Sequence, residues 1–595
     1  MDLYTPSSQK IENMLRLSLS LEETQRERAA ELEVGFDQST STWELIVKYN
    51  GNLLRYEQEG LKVELLIAGY AIVTIRENLI RDFVGKPEVE YVEMPKRLFY
   101  SVAEGKAFSC FNSSATVRGL SGKGVLVAVV DSGIDYRSNA FRKADGSTRI
   151  RFLWDQSLQP GEEGQPPEGF LQGVEYSEEQ INEALSQDVP LPTVDITGHG
   201  TAVTAIAAGK DEAQALVGGA AESELLIVKL GNADKLSFPR TTELMRAVTY
   251  AVKKAMELNM PMALNLSFGN TYGAHDGTSI LERFLDNAAE MGRTVICVGS
   301  GNEGAAAGHT AGVLQEDRTT QVELAVGNYQ PSFGVQLWKN YVDTMELYLV
   351  SPGGERRQIS LTIPGKQQFV MERTEILLYI GEPSPYSVNQ ELYFEILPKE
   401  ANYVRTGVWR FEMRGVEIVS GNFLYYLPSE QVLSGDTRFY APVPLTTLTI
   451  PSTASKVITV GAYNSVYDGY ADFSGRGYPD EGILNGSRDG ISFYEAGQTV
   501  KPDLEAPGVG IRTLRAGGGV EYVSGTSFAT PFVTAAAALL MEWGILQGND
   551  PYLYGEKVKA YLRRGARPLR GERNLPNARV GYGKLCVAES IPGKG

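Results

Sequence analysis

The sequence predicts an α/β protein: a doubly wound parallel-sheet domain, preceded by a small α+β unit and interrupted by an all-β insertion. Three observations carry this. The runs Val125–Val130, Glu224–Leu230, Met262–Ser267 and Thr294–Val298 are almost continuously apolar, as strands buried on both faces are, and segments of helical period separate them. Between about Leu314 and Thr447 that rhythm stops, and only short strand-like runs remain, divided by turns such as Ser351-Pro352-Gly353-Gly354. Ahead of both, residues 43–93 alternate like half-buried strands around one short helix.

Bulk properties narrow the class. A chain of 595 residues exceeds what one hydrophobic core serves. With 43% hydrophobic and 22% charged residues it has an ordinary globular composition. The net charge of −17 argues against nucleic acid or an anionic membrane as the main partner. Cys110, Cys297 and Cys586 are too few and too scattered for a disulfide framework or a zinc cluster. The first residues lack a basic segment followed by an apolar core, and no run approaches the ~20 apolar residues of a membrane helix. A cytoplasmic location is the expectation, with no cofactor and no metal ligand set to be chosen from the sequence.

Taken in order, residues 1–40 are polar and helix-prone and read as a weakly packed extension. Residues 41–100 form the α+β unit: strands at 43–49, 62–67, 71–75 and 89–93, with a helix at 77–84. An isolated domain of about 60 residues is marginally stable, so this unit is expected to dock on the rest. The α/β domain occupies 101–313 and resumes at 448–595, flanking the insertion at 314–447. A polar, Pro/Gly-rich excursion from Asp145 to Pro192 resists assignment. Helices are expected over 241–258, 279–291 and 556–564.

Chemistry enters at Gly525-Thr526-Ser527-Phe528-Ala529-Thr530-Pro531, which opens the small, apolar run Phe532–Met541. Such a run describes a helix buried on most faces, with Ser527 in its first turn, where free N–H groups and the dipole favour developing negative charge. Pro531 breaks the local rule, since it has no N–H to offer the Ser527 carbonyl. The same stretch also describes a capped core helix with no chemistry. A nucleophilic hydroxyl needs a base and an acid to orient that base. Of the three histidines, His275 and His309 sit in Gly/Ala/Thr-rich loops and are expected to be solvated or bonded to backbone. His199, in Thr197-Gly198-His199-Gly200-Thr201, precedes another small-residue helix, and Asp131 ends a buried strand at the sheet edge where catalytic groups collect. Asn302, in the turn Gly301-Asn302-Glu303-Gly304, offers an amide to an oxyanion, or is simply a turn residue.

In the chain order Asp131, His199, Asn302, Ser527 these stretches resemble the subtilisin-like serine proteases (subtilases, family S8). The resemblance implies a triad of Asp131, His199 and Ser527, with Asn302 in the oxyanion hole. It also implies a peptide-binding edge at Ser267-Phe268-Gly269, and the run Lys501–Gly508 resembles a structural signature of the same family. Residues 43–100 look like a subtilase propeptide. Together with the β insertion after Gly301–Gly304, they resemble the Csp subtilases of spore-forming Clostridia and their relatives. That family implies a jelly-roll insertion, self-cleavage (here expected within Pro95–Lys106), and a cleaved prodomain that stays in the cleft as a partner. It further implies a protein substrate, of which a cortex-hydrolase zymogen in spore germination is the family's example, and a spore-associated site. Some members are pseudoproteases that act in signalling.

Overall fold

The computed structural model describes residues 9–100, 119–161, 164–187, 189–231, 238–478 and 500–592. At its centre lies a sheet whose parallel strands run in the order Ile458–Asn464, Thr294–Gly299, Met262–Leu266, Leu126–Asp131, Glu224–Lys229, Ile150–Asp155. Leu504–Pro507 adds a further parallel pairing on Ile458–Asn464, and Val174–Ser177 closes the other edge antiparallel. The unassigned polar excursion thus supplies the last two strands on that side of the sheet and the helix Glu178–Gln187.

Strand alternation sorts the two faces. Val127 and Val129 join the core that holds Ala202, Val203 and Ile206 of helix His199–Ala208 and Ala529, Val533 and Ala536 of helix Thr526–Met541. Leu126, Ala128 and Val130 join the opposite core, with Leu244 and Val248 of helix Thr241–Glu257 and Phe284 and Leu285 of helix Ile280–Ala289. With its period of two, the strand therefore turns Asp131 toward the face that carries His199 and Ser527. Every residue of Thr526–Met541 is buried, which explains its all-round apolar sequence. With its π-helical continuation it reaches Leu546, a 21-residue stretch apolar enough to span a bilayer, which the sequence had not suggested; 83% of its apolar window lies inside the protein.

The N-terminal unit has the expected strands, Thr42–Tyr49, Leu61–Leu65, Tyr70–Arg76 and Val89–Glu93, in one antiparallel sheet. One face, through Ile46, Tyr70, Ile72 and Tyr91, packs on the helices Thr241–Glu257 and Ile280–Ala289. The other face buries Trp43, Leu45, Val73 and Ile75.

Residues 11–34 depart from the sequence expectation. Leu15, Leu17, Ala29 and Leu32 are fully buried, so this segment is a packed part of the unit rather than a loose extension. It closes the second face of the sheet and carries it onto the insertion.

The insertion consists of two antiparallel sheets, of six and five strands, between His309 and Phe439. Ile376, Leu378, Leu392, Phe394 and Ile396 of one sheet meet Leu347, Leu349, Trp409 and Phe411 of the other. The alternate residues Leu377, Tyr379, Tyr393 and Leu397 point out of that sandwich into the core of the N-terminal unit. Arg28 pairs with Glu375 at 2.5 Å, and Lys366 donates to the Ser20 carbonyl at 3.2 Å across the same seam. The N-terminal unit is thus held between the α/β domain and the insertion.

Candidate active site

Asp131 is the last residue of its strand and is fully buried. Its Oδ1 accepts from the backbone N–H of Ser132 at 2.7 Å and lies 2.7 Å from His199 Nδ1. That bond takes up one imidazole nitrogen and leaves Nε2, buried, with no hydrogen-bond partner among the described residues. His199 opens its helix behind Gly198, which holds φ +75° at the N-cap. A Cβ at Gly200 would stand 2.2 Å from the Gly133 carbonyl, so only glycine lets the Asp131 loop approach the imidazole this closely.

Sequence reasoning missed Asp195. Its Oδ1 accepts from Ser132 Oγ at 2.8 Å and from Gly198 N–H at 3.0 Å, and its Oδ2 from the Thr201 N–H at 2.8 Å. One carboxylate therefore ties the Asp131 turn to the start of the His199 helix. The available signal was an acidic residue just ahead of a helix start.

Ser527 lies in the first turn of its helix and is fully buried. Its hydroxyl donates to the Ser267 carbonyl at 2.8 Å, and the structure records no bond from it to His199. In return, Ser267 Oγ donates to the Ser527 carbonyl at 3.1 Å. This is the carbonyl that Pro531 cannot serve, so the broken helix rule is compensated from the neighbouring strand. Asn265 Nδ2 donates to Ser267 Oγ at 2.7 Å, and Thr534 Oγ1 donates to Asn265 Oδ1 at 3.0 Å, completing a buried relay that sequence reasoning also missed. The Phe528 ring lies 5.0 Å from the imidazole of His199, which brings the two helix starts together.

Asn302 follows strand Thr294–Gly299. Its Oδ1 accepts from the N–H and the hydroxyl of Thr526, both at 3.1 Å. The amide is thereby oriented against Thr526, the residue before Ser527, and Nδ2 is left buried with no partner among the described residues. A donor with no acceptor costs about 1–3 kcal/mol, which a site for a developing negative charge returns.

The edge Phe268–Gly269 is occupied. Strand Phe99–Tyr100, the end of the described N-terminal unit, pairs with it antiparallel: Gly269 opposite Phe99 and Phe268 opposite Tyr100. On the other side Leu98 N–H donates to the Pro239 carbonyl at 2.7 Å. The Tyr100 ring covers the His199 imidazole at 4.8 Å. Residues 101–106 of the expected cleavage window, and Cys110, lie outside the described residues.

His275 and His309 lie apart from this site. Both are buried rather than solvated, and they stack on the two faces of Tyr426 at 3.9 and 4.3 Å. His275 Nδ1 is 2.6 Å from the Leu448 carbonyl and His309 Nδ1 is 2.8 Å from that of Tyr425, the expected backbone bonding.

Comparison with known proteins shows the family. The subtilase family profile matches residues 122–391 and 427–583, and the Csp protease B prodomain profile matches residues 9–96. The solved structure of the Clostridium perfringens CspB protease superposes with a TM-score of 0.71 at 32% identity, covering 81% of this chain and 95% of that one. Serine protease AprX of Bacillus subtilis is 32% identical over 162 residues, 25% of this chain and 32% of its own length. Pyrolysin of Pyrococcus furiosus is 33% identical over 160 residues, 24% of this chain and 11% of its own. The chain thus spans about a third or less of these curated relatives.

Proposed function

The chain belongs to the subtilase family and carries a Csp protease B prodomain, and from that premise we propose that it is a serine endopeptidase that cuts its own prodomain and then a protein substrate. Ser527 attacks a peptide carbonyl, and His199 Nε2 takes its proton and later gives it to the leaving amine. Asp131 fixes the imidazole tautomer through Nδ1. Asn302 Nδ2 and the Ser527 N–H bind the oxyanion. The observation that carries this is the 2.7 Å Asp131–His199 bond, which leaves Nε2 partnerless at the mouth of the Ser527 helix.

The pairing of Phe99 and Tyr100 with Gly269 and Phe268 supports self-cleavage just beyond Tyr100. Phe268, opposite Tyr100, is next in sequence to Ser267, whose carbonyl accepts the Ser527 hydroxyl, so the described strand ends close to the nucleophile's own contact. We therefore propose that the self-cleaved bond lies in the expected window beyond Tyr100, with the cut prodomain retained by its two packed faces. A cytoplasmic or spore-associated location, a jelly-roll insertion and a germination substrate complete the proposal, all on family resemblance.

Intact-mass analysis tests it. The wild-type chain is expected as two fragments and Ser527→Ala as one chain of 65.0 kDa. Intact wild type, with Ser527 inert to a fluorophosphonate once the prodomain is removed, would instead favour a non-catalytic regulator. An open cleft that digests unfolded casein would favour a general degradative protease.

A further inference from the structure

Where the N-terminal unit, the α/β domain and the insertion meet lies a cavity of about 840 Å³, which none of Asp131, His199, Asn302 and Ser527 lines. The N-terminal unit contributes Glu12, Glu93 and Lys96 to it, and the insertion Glu382 and Glu391. Its charge is unbalanced. Lys96 is committed to Glu12: the two form an ion pair, Lys96 Nζ donates to the Met94 carbonyl at 3.1 Å, and Glu12 Oε2 accepts from the Met94 N–H at 3.0 Å. Glu391, only 5% exposed, accepts from two neutral donors, Gln336 Nε2 at 2.5 Å and Asn13 Nδ2 at 3.2 Å. Glu93 has no hydrogen bond or ion pair among the described residues.

Two helices, Thr241–Glu257 and Ile280–Ala289, start at this cavity. In each, a first-turn glutamate, Glu243 or Glu282, accepts from the backbone N–H of the residue ahead of the helix, which offsets the positive end of the dipole. Facing Glu93 are Glu12 and Lys96 of its own unit, Glu391 of the insertion and Glu282 of the α/β domain, a single cation among three further carboxyls. Burial first, then Glu12, pushes Glu93 up to about 8 and Glu391 up to about 7, as expected of carboxyls short of a counter-charge. The walls add two features of a ligand site. The rings of Tyr91 and Tyr386 meet edge-on at 5.6 Å, and Trp338 carries a buried Nε1 with no hydrogen-bond partner among the described residues.

We propose that this cavity binds a small amino alcohol, whose ammonium donates to Glu93 and Glu391 and whose oxygen accepts from Trp338, and that the ligand fastens the N-terminal unit to the insertion. Glu93 stands on the first of these bodies, and Glu391 and Trp338 on the second, so one bound molecule bridges the seam. An ammonium supplies the missing counter-charge through charge-assisted bonds. Its carbon chain lies against the tyrosines, which a bare metal cation would leave unused. A ligand bearing a carboxylate is rejected by the glutamates around it.

The site does not depend on the serine protease reading, so full-length Ser527→Ala chain serves for the test. Calorimetric titration near neutral pH uses aminobutanol, butylamine, butanol and aminobutyrate, four-carbon chains with their polar groups at the ends, and potassium chloride. Aminobutanol should bind saturably, butylamine about threefold or more weakly, and the others not at all. Glu93→Gln should weaken aminobutanol about tenfold or more. Glutamine has the shape of the protonated carboxyl, so this variant should unfold at the same temperature without ligand. Binding should release protons and tighten as pH rises from about 6 to 8, because Glu93 gives up its proton to an amine that stays charged to about pH 10. Absence of saturable amine binding at millimolar concentration overturns the proposal. So does butanol, aminobutyrate or potassium binding as well as aminobutanol, or Glu93→Gln binding as tightly as its parent. If Glu93→Gln lacks a cooperative unfolding transition, the parent's pH dependence decides: an affinity that is flat or falls over that range overturns the proposal.

Discussion

Arg246 is the residue on which retention of the N-terminal unit most directly depends, and Arg246→Met is the perturbation that measures it. Its Nε lies 3.0 and 2.9 Å from the two oxygens of Glu64, and its Nη2 lies 3.2 Å from Glu44. Arg240 completes the cluster at 3.0 Å from Glu44 and 2.5 Å from Glu243. Glu44 and Glu64 stand on two strands of the N-terminal sheet, while both arginines stand at the helix Thr241–Glu257 of the α/β domain. The side chains of Arg246 and Glu64 are only 4% and 3% exposed, so this is a desolvated ion pair rather than a surface one. Burial alone would raise Glu44, yet the two guanidiniums hold it down to about 2. Removing one partner of a buried pair costs about 3–5 kcal/mol, because the remaining charge is stranded. Weakening of prodomain binding by roughly 10²- to 10³-fold or more follows from that figure. Gel filtration of the self-cleaved protein in rising urea reads it as a lower midpoint for prodomain release. The triple variant Arg246→Met/Glu44→Leu/Glu64→Leu should recover most of the loss, since it strands neither carboxylate and Arg240 keeps Glu243 as its partner. Release of Arg246→Met at the wild-type midpoint, or a triple variant no tighter than the single one, would refute charge compensation as the source of the grip.

Asn302→Ala should slow self-cleavage about 10²–10³-fold, roughly 3–4 kcal/mol, in a time course; a loss below about threefold would mean the amide does not meet the oxyanion. Gly200→Ala would set a methyl carbon 2.2 Å from the Gly133 carbonyl, so it should cost about 1–3 kcal/mol in thermal unfolding and impair self-cleavage by moving Asp131 from His199. Raised pH should loosen the prodomain. Burial first, then the neighbouring Glu12, pushes Glu93 up to about 8 and Glu391 up to about 7 where the N-terminal unit meets the insertion. The docked state thus binds more protons than the released one, so docking is strongest below the ordinary carboxylate range and is lost as pH rises through 7–8. Gel filtration at pH 6 and pH 9 should find more free fragment at the higher pH, and Glu93→Gln should flatten that difference.

Much of this was legible because strand and helix periods are local. Val125–Val130 announces a doubly buried strand from six consecutive residues, and its parity already decides which face Asp131 joins. The helix start at Ser527 was legible for the same reason, and Pro531 marked it as irregular. Features whose partners are distant in sequence were not legible. Met14, Leu15 and Leu17 lie among charged residues, and part of their apolar partner surface, Leu377 and Tyr379, is some 360 positions away on the insertion. Gln431 meets Tyr100 across 331 residues, and nothing in its own neighbourhood distinguishes it from a surface glutamine. Asp195 looks like any loop aspartate until the Asp131 turn is folded against it. The His–Tyr–His stack was hidden because Tyr426 comes from a β strand far from either histidine.

Ser267 joins the nucleophile to the substrate edge through two bonds that run in opposite directions. Its hydroxyl supplies the donor that Pro531 withholds from the Ser527 carbonyl, so the irregular first turn of the helix is held against this strand and no other. Its carbonyl meanwhile accepts the Ser527 hydroxyl. A peptide continuing the Phe99–Tyr100 register brings an N–H to that same carbonyl. Two donors on one carbonyl share its lone pairs, and each bond is weaker than a sole one. The hydroxyl has another acceptor within the site, His199 Nε2, which is otherwise unpartnered. Occupation of the edge therefore lowers the cost of turning the hydroxyl toward its base. On this argument Pro531 is not a flaw tolerated near the site: by leaving the Ser527 carbonyl without a helical donor, it recruits the strand whose opposite side the substrate must read.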